Sequence, residues 1–272
     1  MRIDFTKMHG AGNDFVMIDN INARVRLSPG DVAKLCHRRF GIGADGVLLL
    51  EPPDSNRVDA TMVYYNADGS RAEMCGNGAR CFAAFALERG LGRDGLIRFN
   101  TDAGIVSAET VDDLYRIELT PPTDLNLGRT IELRSGPRTI HTVNTGVPHV
   151  VHFVDDVNAV DIRRFGSEIR HHADFAPAGT NVNVAAIDED GLVHVRTYER
   201  GVEDETLACG TGVTAVGIVS SLINRIARPV RLQVAGASVL LVDFEETASG
   251  IEKVTLTGPA ATVFTGMVEI GD

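Results

Sequence analysis

The chain has 272 residues, 44% of them hydrophobic, and carries 26 Lys and Arg against 37 Asp and Glu, for a formal net charge of −11. An acidic chain without a Lys/Arg cluster argues against nucleic acid and anionic membrane surfaces as partners. Runs such as Val47 to Leu50 are too short to span a bilayer, and the opening Met-Arg-Ile-Asp-Phe-Thr-Lys lacks the apolar core of a signal peptide. A cytoplasmic location is therefore expected, with the cysteines at 36, 75, 81 and 209 as free thiols.

In chain order, Ile3 to Met8 and Phe15 to Asp19 read as strands around a Gly10-Ala-Gly-Asn13 turn. Ser28-Pro29 supplies an N-cap and a first-turn proline for a helix through about Arg39, with Cys36 as a core thiol. Gly41-Ile-Gly-Ala-Asp-Gly46 matches the dinucleotide fingerprint, but a helix precedes it and the strand Val47 to Glu51 follows, the reverse of the order that site requires. Further strands are expected at Arg57 to Tyr65, Ile97 to Thr101, Gly104 to Thr110 and Leu114 to Leu119, with a helix over Ala79 to Arg89. Paired prolines in Thr120-Pro-Pro-Thr-Asp mark a boundary. Beyond it come strands at Arg138 to Asn144, His149 to Val154, Asn181 to Ile187 and Leu192 to Tyr198, and helices at Ile162 to His171 and Val213 to Asn224. Glu203-Asp204-Glu205 reads as a solvated loop. Strands at Val230 to Ala235, Val239 to Phe244, Lys253 to Thr257 and Ala261 to Ile270 close the chain, the last returning to the first half.

Two motifs recur at one offset. Cys75-Gly-Asn-Gly and Cys209-Gly-Thr-Gly each open a helix, and their cysteines lie 209 − 75 = 134 positions apart. Tyr64 and Tyr198 repeat that spacing, as do Gly12 and Gly146. The expectation is α+β: two pseudo-symmetric domains, each mostly antiparallel sheet wrapped around a central helix, over 1–120 and 121–260, with 261–272 joining the first.

A thiol at a helix start sits among amides without intrahelical partners, at the positive end of the macrodipole, which favours thiolate. Three uses are open for such a pair: buried core thiols, a catalytic disulfide, or two acid/base groups on opposite faces of one carbon. Only the last gives the duplication a purpose, because inverting a stereocentre through a planar carbanion needs a base on one face and an acid on the other. A thiol pKa of ~8.5 keeps both forms accessible near neutrality. The amides of Gly76, Asn77, Gly210 and Thr211 are then placed to hold an α-carboxylate. No metal site is expected, since Cys75 and Cys81 do not form a zinc knuckle and no second pair follows.

Over nearly its whole length the chain resembles the diaminopimelate epimerases. The resemblance is carried by His9-Gly-Ala-Gly-Asn-Asp-Phe, Gly41-Ile-Gly-Ala-Asp-Gly, Asn66-Ala-Asp-Gly-Ser, Cys75-Gly-Asn-Gly-Ala-Arg-Cys, Gly146-Val-Pro-His, Gly179-Thr-Asn-Val-Asn, Glu199-Arg-Gly and Ala208-Cys-Gly-Thr-Gly. It implies cofactor-independent interconversion of LL- and meso-diaminopimelate in lysine and peptidoglycan precursor synthesis. It also implies Cys75 and Cys209 as the acid/base pair, with His149 and Glu199 beside them. Asn13, Asn66, Asn181, Glu199 and Arg200 resemble the family's substrate-binding side chains, Asn181 being favoured over Asn183. Some members carry Gln where this chain has Gly46 and Asn where it has Val147, so two side-chain contacts to substrate are absent here. Family members are often homodimers. A proline or hydroxyproline racemase, or a non-catalytic small-ligand binder on the same scaffold, are the competing readings.

Overall fold

The computed structural model describes residues 1–224 and 226–271. The chain forms two compact units, one of Met1–Ile117 joined by the segment from Gly258 onward, the other Glu118–Thr257. In chain order the elements are β1 (Arg2–Gly10), β2 (Asn13–Asp19), α1 (Pro29–Cys36), β3 (Gly46–Glu51), β4 (Ala60–Asn66), α2 (Gly76–Leu87), β5 (Leu96–Thr101), β6 (Gly104–Val111) and β7 (Leu114–Glu118). Then follow β8 (Thr123–Leu133), β9 (Gly136–Asn144), β10 (Pro148–Phe153), α3 (Ile162–Arg170), β11 (Asn181–Ile187), β12 (Val193–Glu199), β13 (Asp204–Thr206) and α4 (Gly210–Asn224). The last strands are β14 (Val230–Val234), β15 (Val239–Thr247), β16 (Gly250–Gly258) and β17 (Ala261–Glu269). Among the described residues no helix is long and apolar enough to cross a membrane.

In the first unit β1 pairs antiparallel with both β2 and β17, β2 runs parallel to β3, β3 antiparallel to β4, and β4 parallel to β5. The helix α2 packs against β1, β2, β3, β5 and β6 and is buried from Gly76 through Ala86. Small residues make this possible: Gly78 and the alanines at 79, 83, 84 and 86 let the sheet close around the helix, while Phe82 and Phe85 fill the interior. A second apolar layer under α1 joins Val32, Leu35 and Cys36 to Val16, Ile18, Val47 and Leu49.

The second unit repeats the pairings. Its β9 pairs antiparallel with β8 and β10, β10 runs parallel to β11, β11 antiparallel to β12, and β12 parallel to β14. Here α4 packs against β10, β11, β12, β14 and β15. The register repeats too: Leu48 pairs with Tyr64 and Val182 with Tyr198, while Ala60 pairs with Phe99 and His194 with Gln233. Each second pair lies at the motif offset from the first (182 − 48 = 134; 233 − 99 = 134). The fold is mixed α+β with few helices, and the parallel pairs occur where the chain crosses over between strands.

Several local features differ from the sequence reading. The first helix ends at Cys36 rather than near Arg39, because the amides of Ile42 and Gly43 turn back onto the Leu35 carbonyl at 2.9 and 3.0 Å. Its start follows the expected capping box, with Ser28 and Asp31 each accepting from the other's amide. Both cysteine helices begin three residues earlier than their apolar periodicity indicates. The strand β8 is unanticipated. Its alternation of Leu125, Leu127, Ile131 and Leu133 is interrupted by Gly128, at φ +78°, and by two register shifts against β9. Nor is Glu203-Asp204-Glu205 a plain solvated loop. Arg196 grips Glu205 through two bonds of 2.7 and 2.8 Å, Arg163 bonds Asp204 and Arg170 bonds Glu203, so β13 is tied down by ion pairs.

Candidate active site

Cys75 is the N-cap residue of α2, in extended backbone, and its carbonyl accepts from the Ala79 amide at 2.7 Å. Ser, Thr, Asp or Asn usually occupies this position and bonds the first-turn amides. The Cys75 side chain makes no capping bond; it donates to Asn13 Oδ1 at 3.5 Å. Asn13, at the start of β2, also accepts from Asn77 Nδ2 at 3.3 Å and donates to Asp45 Oδ2 at 2.7 Å. Asp45 and Asp14 are joined by Arg38, and the nearly buried Lys7 bonds Asp14 at 2.7 Å and also the Gly43 carbonyl. Burial pushes the Asp14 carboxyl upward, but the bonds from Arg38 and Lys7 outweigh it and hold the group well below the usual carboxylate range.

One turn into α2, the buried Arg80 donates to the Gly76 carbonyl and to Asn77 Oδ1, at 3.3 and 2.8 Å, and to Pro259 at 3.4 Å. Gly10 has no space for a side chain, since a Cβ there would lie 2.8 Å from the Asn77 carbonyl oxygen. Asn66 pairs with Gly46 across β3 and β4, and its side chain bonds Ser70 in its own turn. At Gly46 a Cβ would lie 2.6 Å from the Tyr65 carbonyl oxygen and 2.7 Å from the Tyr64 ring, so this backbone has no room for a side chain.

In the second unit Cys209 precedes α4, and its carbonyl accepts from the Val213 amide at 2.9 Å. Its sulfur lies 3.5 Å from the Thr211 hydroxyl, which in turn lies 2.9 Å from His149 Nε2. His149, on β10, is 1% exposed, and burial, aided by the nearby Arg200 charge, pushes its pKa down to about 3. The imidazole is therefore neutral near pH 7. Asn183 lies behind it on β11, with Nδ2 3.2 Å from His149 Nδ1 and 2.8 Å from the Val150 carbonyl oxygen. Its Oδ1 accepts from the Thr197 hydroxyl at 2.8 Å.

Asn181, two residues earlier and on the same face of β11, donates to the Pro148 carbonyl and accepts from the Arg200 amide, at 3.1 and 2.9 Å. The Arg200 guanidinium reaches the Ala178 carbonyl at 3.3 Å, and Glu199 accepts from the Thr206 hydroxyl at 2.8 Å. Cys36 and Cys81 are buried in apolar surroundings that push each up to about 12, which makes them core residues.

Sequence reasoning assigned Asn13, Asn77, Cys75, His149, Thr211 and Cys209 to a single site without saying which of them bond each other; the structure bonds Asn13 to Asn77 and Cys75 in the first unit, and Thr211 to His149 and Cys209 in the second. It missed Asp45 and Thr197, and it set Asn183 behind Asn181. The signal for Asn183 was present: a second Asn at strand spacing from Asn181 on an otherwise apolar strand.

A family model described as diaminopimelate epimerase matches residues 5–123 and 141–263. The chain is 42% identical to the diaminopimelate epimerase of Aquifex aeolicus, with 97% of each chain covered. It is 40% identical to that of Chlorobaculum tepidum, covering 97% of this chain and 100% of that one. Among solved structures, a PhzF-family phenazine biosynthesis protein of Bacillus anthracis has the same fold, with a TM-score of 0.77 at 15% identity over 99% of this chain and 100% of that one. A hydroxyproline epimerase of Agrobacterium vitis gives 0.72 at 19% identity, covering 100% and 93%.

Proposed function

This chain belongs to the diaminopimelate epimerase family and is an isomerase of the epimerase kind; from that premise we propose that it interconverts LL- and meso-diaminopimelate by a two-base thiol mechanism that needs no cofactor. The reaction would serve lysine and peptidoglycan precursor synthesis in the cytoplasm.

The observation that carries this reading is the repetition of one device: a thiol at the start of a largely buried helix, once in each unit, at equivalent points of the same strand register. One sulfur, as thiolate, removes the α-proton. The electron pair left on carbon delocalises into the α-carboxylate, whose growing charge is met by first-turn amides of Gly76, Asn77, Gly210 and Thr211. The other sulfur, as thiol, delivers its proton to the opposite face. The stereocentre is inverted, and thiol and thiolate have exchanged roles, so no net proton or electron is consumed. Cys75 already makes a bond in which sulfur donates, and Cys209 has a hydroxyl beside it. Asn13, Asn66, Asn181, Glu199 and Arg200 are assigned to the substrate's polar groups, with a guanidinium suited to a carboxylate.

The test is epimerisation in deuterium oxide, followed by chiral analysis and mass spectrometry. Wild type is expected to place one solvent deuteron on the inverted carbon, before and after dialysis against a chelator with no cofactor added. Cys75→Ala and Cys209→Ala are each expected to lower kcat by about 10²–10⁴-fold or more. Full activity in either variant, or turnover of proline but not diaminopimelate, would sink the proposal.

A further inference from the structure

The hydrogen bonds behind Cys209 have a fixed direction, set by an atom that has no choice. The Val150 carbonyl oxygen can only accept, so the Asn183 atom 2.8 Å from it must be the NH₂ group. That orientation also gives Oδ1 to the Thr197 hydroxyl, which donates to it. The same NH₂ group spends its second hydrogen on His149 Nδ1, 3.2 Å away. Nδ1 must then be an acceptor and bear no proton. A neutral imidazole whose Nδ1 is bare carries its hydrogen on Nε2. Nε2–H therefore donates to the Thr211 oxygen 2.9 Å away, and the one hydroxyl hydrogen of Thr211 is left to point at the Cys209 sulfur, 3.5 Å off.

We propose that Asn183 is a positioning residue for the reaction: by donating to Nδ1 it holds His149 as the Nε2–H tautomer and so turns the Thr211 hydroxyl towards Cys209, making that sulfur the resting thiolate. Thr197 locks the Asn183 amide from the far side. This accounts for the last glycine of the second motif. A Cβ on Gly212 would lie 2.4 Å from Asn183 Oδ1 and 3.4 Å from the Cys209 sulfur. The small residue leaves room for the amide to stand between β12 and the imidazole. It also gives the two thiols different starting states, since Cys75 donates to an amide oxygen while Cys209 receives a donor.

This inference rests on Cys209 being an acid/base group, yet it can be tested without turnover. In ¹³C,¹⁵N-histidine-labelled protein without substrate, the His149 ring is expected to show the Nε2–H tautomer at pH 7, its signals assigned by their loss in His149→Gln. An Nδ1–H ring or an imidazolium would overturn the proposal and leave the epimerase reading intact. Asn183→Asp cannot donate to Nδ1 and is expected to switch the ring to Nδ1–H. Nε2 would then capture the Thr211 hydroxyl, and the acid limb of the kcat/KM pH profile would rise by about one pH unit, the effect of losing one hydrogen bond to a charged group. KM should change far less than kcat. Should Asn183→Asp not fold, Thr211→Val removes the same donor while keeping its shape, and must raise the limb likewise. An unmoved limb in the folded variant refutes the assignment.

Discussion

Cys75 and Asn13 are joined by a bond in which the sulfur donates to the amide oxygen at 3.5 Å, while the amide nitrogen is held by Asp45 at 2.7 Å. A carboxylate can only accept, so Asp45 decides which end of the Asn13 amide faces the thiol. Around it, Arg38 ties Asp45 to Asp14, and Lys7 anchors Asp14 from beneath. The first thiol thus sits at the end of a charged network that reaches the protein surface.

Asp45→Ala would remove the stronger of the two bonds that orient the Asn13 amide, leaving the 3.3 Å bond from Asn77. The Asp45 side chain is 43% exposed, so its ion pair with Arg38 adds at most about 1 kcal/mol to stability. We expect kcat/KM to fall about tenfold, matching the loss of one charge-assisted bond, with the melting temperature nearly unchanged. Steady-state kinetics beside thermal denaturation checks this. An unaltered kcat/KM would show that the amide orientation does not matter.

The two motif glycines are expected to respond differently to alanine. At Gly78 the added Cβ would meet only Leu48 Cδ1 at 3.3 Å and Phe15 Cζ at 3.4 Å, and side-chain ends can shift. Ala also favours a helix by about 1 kcal/mol over Gly, so Gly78→Ala should leave stability within about 1 kcal/mol of wild type. Gly212→Ala would strike Asn183 Oδ1 at 2.4 Å and displace it from His149. Its activity should fall at least about tenfold further than that of Gly78→Ala, a comparison that needs only purified variants and one assay.

His149 makes stability pH-dependent in a defined window. Its folded pKa is pushed down to about 3 from an ordinary 6.5, so between those values the unfolded chain binds a proton that the folded chain refuses. The contribution is complete above about pH 6.5 and is lost as pH falls towards 3. Between pH 7 and pH 5 wild type should lose about 2 kcal/mol more than His149→Gln, measured by urea denaturation. Asp14 acts on a separate, more acidic window, because its folded pKa lies below the ordinary 3.8 and its contribution fades only as pH falls under that value. Equal losses in wild type and His149→Gln would contradict the neutral, buried ring.

Much of this architecture was legible because it is written twice. The repeat of Cys-Gly-x-Gly after a tyrosine strand survives as paired register, Leu48 with Tyr64 and Val182 with Tyr198. What escaped was information that lives across strands rather than along them. Asn183 looks like a weaker copy of Asn181 until β10 places His149 beside it. Asp45 looks like loop chemistry until its bond to Asn13 is seen. The strand β8 was hidden because Gly128 and two bulges break its alternation, and most of its face is exposed and lacks the apolar contrast that marks a half-buried strand.

The pairing of β1 with β17 has a consequence for synthesis on the ribosome. The unit bearing Cys209 is continuous in the chain, whereas the unit bearing Cys75 is completed by a strand that is translated only after all of Glu118–Thr257. The later half of the polypeptide can therefore close its sheet while the earlier half still has an open flank along Ile3, Phe5 and Lys7, which nascent-chain chaperones would have to shield until the final strand emerges.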